Sequence, residues 1–88
     1  MSDLKDFGGN ISMPTNLITS DVVLDVALDK LTSLQISILS TSGEIIFNDQ
    51  RDINTEQIQY NVSTLPAGMY FVRVAGEDRL ETLKFYKK

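Results

Sequence analysis

Leu65-Pro66-Ala67-Gly68-Met69-Tyr70-Phe71-Val72-Arg73-Val74 is the stretch that decides the fold of this chain. Pro66 fixes φ and suits the first corner of a turn. Gly68 can take φ > 0, where other residues strain. The chain then enters a strand, and successive strand side chains alternate between two faces. Tyr70, Val72 and Val74 therefore share one face, and Met69, Phe71 and Arg73 the other. The stretch is turn chemistry feeding a central strand, and none of it reads as catalytic.

Working outward, the same alternation recurs. Gly76-Glu77-Asp78-Arg79 closes a hairpin into a last strand, Leu80 to Tyr86, with Leu83 and Phe85 inward. On the other side, Ile58, Tyr60 and Val62 alternate with Gln57, Gln59 and Asn61. Residues 48–56 are polar around a lone Ile53 and read as a loop or a short irregular edge strand. Leu34-Gln35-Ile36-Ser37-Ile38-Leu39-Ser40, a Gly43-containing loop and Ile45-Ile46-Phe47 make a second hairpin. From Asp21 to Asp29, Val22, Leu24, Val26 and Leu28 share one face and Val23, Asp25, Ala27 and Asp29 the other, a half-buried strand. Ile11-Ser12-Met13-Pro14 begins an edge strand that the proline ends. Residues 1–10 close on Phe7-Gly8-Gly9-Asn10 and read as a linker. About seven short strands without a helix predict an all-β fold, an Ig-like antiparallel β-sandwich over residues 11–88. Tyr70 belongs in its core, its hydroxyl returned to nearby backbone.

Composition narrows the chemistry. Eighty-eight residues make one small domain, with a single thin core of aliphatic side chains and seven aromatics. Neither cysteine nor histidine is present, which excludes disulfides, Cys/His metal sites and histidine-based catalysis. A net charge of −4 argues against nucleic acid. The charge is uneven: residues 1–72 hold three basic and nine acidic side chains. Residues 73–88 hold Arg73, Arg79, Lys84, Lys87 and Lys88 against Glu77, Asp78 and Glu81. No apolar run is long enough for a transmembrane helix, and the polar start is not a signal peptide.

Candidate sites are few. Asp25 and Asp29 share a strand face but lie roughly 13 Å apart by strand rise, too far to share a calcium ion. Surface acids offer carboxylate pairs, but a small sandwich offers little cleft for glycoside hydrolysis. No cofactor is expected, and the chain does not read as an enzyme. A sugar-binding or adhesive Ig-like module is the alternative, with Met69, Phe71 and Tyr86 outward. The Asn10-Ile11-Ser12 and Asn61-Val62-Ser63 glycosylation patterns are short enough to occur by chance.

Ser63, Leu65, Gly68, Tyr70, Val72 and Val74, followed by Lys84 and the closing Lys87-Lys88, resemble the C-terminal sorting domain of proteins exported by the type IX secretion system of Bacteroidota. That family pairs a Ser-x-Leu-x-x-Gly-x-Tyr corner with a lysine-rich final strand. The Ile36–Ile46 hairpin resembles the family's too, with Ser40 where an aspartate often stands. Met13-Pro14-Thr15-Asn16 matches the family's opening Pro-Asn-Pro only in part.

The resemblance implies a non-catalytic domain carried by a larger cargo protein. It would fold in the periplasm and be recognised by the outer-membrane translocon. A sortase-like peptidase would then remove it, leaving the cargo at the cell surface or released. Gly68, Tyr70, Lys84, Lys87 and Lys88 are the implied recognition residues. Phe7, Gly8, Gly9 and Asn10 mark the implied cleavage region.

Overall fold

The computed structural model describes residues 9–77 and 79–88. These form six strands and no helix: β1 (Gly9–Ser12), β2 (Leu17–Ile18), β3 (Asp21–Ser40), β4 (Ile45–Asn61), β5 (Gly68–Ala75) and β6 (Leu80–Lys87). The sandwich expected from the sequence is built from fewer and longer strands, because β3 and β4 each run through what reads as two separate segments. Residues 48–56 are part of β4 rather than a loop. Their side chains are polar because this half of β4 lies at the margin of the sheet, paired on one side only, with β3.

The β3–β4 hairpin makes the sandwich by folding over. Its register slips twice, by one residue between Ile38 and Leu39 and by more in the middle of the hairpin. Ala27 opposes Thr55 but Thr32 opposes Ile53, so the residues between 27 and 32 face Asn54 alone. Unequal lengths on paired strands bend both. The bend brings the Tyr60 hydroxyl to Asp49 Oδ2, where it donates at 2.9 Å, and Arg51 Nη1 to Glu56 Oε2 at 3.3 Å. Eleven residues of straight strand would separate Tyr60 and Asp49 by roughly 36 Å.

Each half of the hairpin then joins a different layer. The first half of β3 pairs with β1 and the second half of β4. The second half of β3 pairs with β5, which pairs with β6. All of these pairings are antiparallel. The exception is β2, which lies parallel to β6 through Leu17↔Tyr86 and Ile18↔Lys87.

Between the layers sits one core. It takes alternate residues from each strand: Val22, Leu24, Val26 and Leu28, then Leu34, Ile36 and Ile38, then Tyr70, Val72 and Val74, closed by Phe85. Every one of these positions follows from period-two patterning. Burying each such aliphatic or aromatic side chain contributes about 1.5–3 kcal/mol, the main driving force available to a domain without crosslinks. Ile18 and Ile53 are also fully inside, although their neighbours give no alternation to reveal them.

Candidate functional site

The corner before β5 has the geometry its residues predict. Gly68 takes φ +150°, and a Cβ there would meet nothing within 4 Å, so the demand on this position is conformational rather than steric. Two residues on, the Tyr70 ring lies in the core, and its hydroxyl donates to the Pro66 carbonyl oxygen at 2.6 Å. That bond ties the start of β5 to the turn. The ring also stacks on Phe85, with centroids 5.5 Å apart. The corner is therefore locked to β6, the strand that carries the lysines.

The lysines divide between two sides. On β6, Leu83, Phe85 and Lys87 point inward, and Lys84 and Tyr86 outward. Lys87 is only 8% exposed, and its Nζ donates to the Lys88 backbone oxygen at 2.9 Å. A lysine can bury its aliphatic stem while the ammonium reaches a polar partner, so sequence alone does not distinguish this one from its exposed neighbours. Lys84 and Lys88 remain exposed. The backbone N–H of Lys88 donates to Ile18 at 2.8 Å, and that of Tyr86 to Asn16 at 2.8 Å, which fastens the end of the chain to β2.

The outward residues of β5 and β6 lie on one surface. The register sets Arg73 beside Thr82, Phe71 beside Lys84, and Met69 beside Tyr86. The opposite layer presents Asp21 and Asp25, with Asp25 accepting from Gln57 Nε2 at 2.9 Å. Among the described residues, no group of three or more His, Cys, Asp or Glu is arranged to hold a metal ion. Among the described residues no helix is long and apolar enough to cross a membrane.

At the other end of the chain, Phe7 and Gly8 lie outside the described residues. Gly9 and Asn10 form the start of β1, opposite Leu28 and Ala27, so the sheet begins two residues before the boundary drawn from the sequence. A Cβ on Gly9 would come within 2.8 Å of the Ala27 oxygen and the Leu28 Cα, so only glycine fits this pairing. Arg79 Nη2 donates to the Gly9 oxygen at 3.2 Å, and Arg79 Nε pairs with Glu81 at 2.9 Å.

Residues 18–88 match the family model of the secretion system C-terminal sorting domain. The chain belongs to that family. The match runs from β2 to the end and takes in both the Gly68–Tyr70 corner and β6. No curated protein matches the chain. Membership makes it a type IX secretion sorting signal, carried by a larger cargo protein that is exported to the cell surface or the extracellular space. Domains of this family are in general non-catalytic.

Proposed function

We propose that the folded sandwich itself is the sorting signal, read by the outer-membrane secretion translocon while the cargo is in the periplasm, and that it acts without catalysis. The observation that carries this reading is the Tyr70–Phe85 stack, which holds the family's corner and its lysine-bearing strand as one rigid unit. Gly68 and Tyr70 shape the corner, and Lys84 and Lys88 present charge beside it. Lys87 serves recognition indirectly, by holding Lys88 in place.

A sortase-like peptidase then removes the domain in the Phe7–Asn10 region. Gly9 and Asn10 are paired in β1, so a cut between them requires β1 to open. The test is a fusion of residues 1–88 to a fluorescent cargo with a signal peptide, expressed in a type IX-competent host. Export of the cargo, lost when Lys87 and Lys88 are deleted, supports the reading. Retention of the intact fusion in the periplasm overturns it.

A further inference from the structure

The domain has two electrically different faces. In the β1-side layer the outward positions of β3 from Asp21 to Ala27 include Asp21 and Asp25 and no cation. The outward positions of β2, β5 and β6 include Arg73 and Lys84 and no acid. Among the described residues, neither Arg73 nor Lys84 has an ion-pair partner. Two cations are thus left unneutralised on one side of a chain whose net charge is −4.

The same face is apolar between its charges. Leu39 is only 7% exposed yet stands outside the core cluster, because it is covered from the outer side. Its register neighbours there are Phe71 and Ile45. Leu39 and Phe71 line a surface groove of about 200 Å³, with Arg73 and Thr82 beside them. Farther along β6, Tyr86 is 45% exposed next to Leu17 at 54%. Monomeric surfaces seldom keep a contiguous apolar strip of this kind, and one rimmed by charge marks an interaction surface.

We propose that this outer face of β5 and β6 is where the sorting domain docks, and that its partner is a protein surface offering carboxylates around an apolar side chain that enters the Leu39–Phe71 groove. The inference rests on the sorting function proposed above and names the face and the partner chemistry. Charge complementarity selects an acidic partner. The arrangement selects protein over lipid phosphate: Arg73 lines the groove and Lys84 stands beside Phe71, so each cation borders an apolar side chain that a protein partner can cover. Arg73 joins Lys84 in recognition. Lys87, turned inward, does not touch the partner.

The experiment uses the fluorescent cargo fused to residues 1–88 in a type IX-competent host. The reversed pair Arg73→Glu/Lys84→Glu should lower exported cargo at least tenfold, whereas Asp21→Lys on the opposite face should leave export unchanged. Both variants are checked for an unaltered melting temperature. If the reversed pair lowers it, Arg73→Gln/Lys84→Gln carries the same test. Export of the parent together with undiminished export of the face variants overturns the docking face while leaving the sorting function intact. Failure of the parent fusion overturns both. In the secreting host, zero-length carbodiimide coupling joins a lysine amine only to an acid in contact with it. It should link Lys84 to an acidic segment of a secretion protein, and Lys84→Arg should abolish the link. A link through Lys84 to lipopolysaccharide instead of protein overturns the assignment of the partner.

Discussion

The Tyr60 hydroxyl donates to Asp49 Oδ2 at 2.9 Å, although both residues belong to β4 and eleven positions separate them. The contact exists only because the strand doubles back. It also joins the edge of one layer to the other. The Phe47 ring packs against Tyr60 with centroids 5.0 Å apart, and Arg51 approaches Asp49 at 3.4 Å. Burial, then the bond to Asp49, pushes the Tyr60 phenol well above its usual value.

A phenol whose folded-state pKa is raised contributes stability that is complete below the unfolded value, about 10, and is lost as pH climbs toward the folded one. Tyr60→Phe should remove this part of the alkaline loss. At neutral pH the variant should be weaker by about 1–2 kcal/mol, for the missing bond to a charged acceptor. Urea unfolding from pH 8 to 12 checks both. Parallel curves for parent and variant above pH 10 would contradict the raised phenol.

Tyr70→Ala should cost about 3–5 kcal/mol, because it empties a core position and unstacks Phe85. Tyr70→Phe keeps the ring and loses only the bond to Pro66, about 1 kcal/mol. The ratio of the two, read from denaturant midpoints, separates packing from the corner tether.

Gly68→Ala should cost about 1–3 kcal/mol through backbone conformation alone, since the space for a methyl group is open. A chemically synthesised chain with D-alanine at position 68 should recover most of that loss. If both enantiomers destabilise equally, an unseen clash rather than φ sets the requirement.

At Gly9 the limitation is the reverse. Gly9→Ala places a methyl group against the backbone of Ala27 and Leu28, so β1 must shift. Amide exchange at Ile11 should accelerate at least tenfold, while that of Val72 in β5 should change little. Equal acceleration at both would mean that β1 does not open independently.

Much of this was legible in the chain. The inward sets on β3, β5 and β6, the Gly68 turn and the Tyr70 hydroxyl bond all follow from period-two patterning and turn chemistry. The doubling of β4 was not, because Asn48 to Glu56 are polar in either conformation except for Ile53, and only the fold shows which polar segment pairs with β3. Nor was β2: two residues paired in parallel with β6 carry no periodicity, and Ile18 is buried by tertiary contact alone. At the candidate site, the corner was visible from Pro66, Gly68 and Tyr70. The inward turn of Lys87 was not, because residue type suggests solvent and only its register in β6 places it inside. Arg73 was likewise seen as outward, but its setting beside the Leu39–Phe71 groove depends on strand order.

Lys87→Met tests that inward turn. It retains the buried stem, so the melting temperature should fall by no more than a few degrees. Lys87→Asp should lower stability by about 2 kcal/mol, because a short acid there has no donor in reach of its position. Indifference to both substitutions would place Lys87 in solvent.

The stitching of β6 to residues 16–18 has a consequence in time. β6 supplies Phe85 to the core, and the Tyr86 and Lys88 amides bond back to Asn16 and Ile18, so the β5–β6 layer and the core it covers cannot close until these last residues of the domain have been made. Whatever precedes the domain in the polypeptide has been synthesised by then. A prematurely terminated or frameshifted cargo would never display the folded label, and the export pathway would be spared abortive passengers without a separate inspection step.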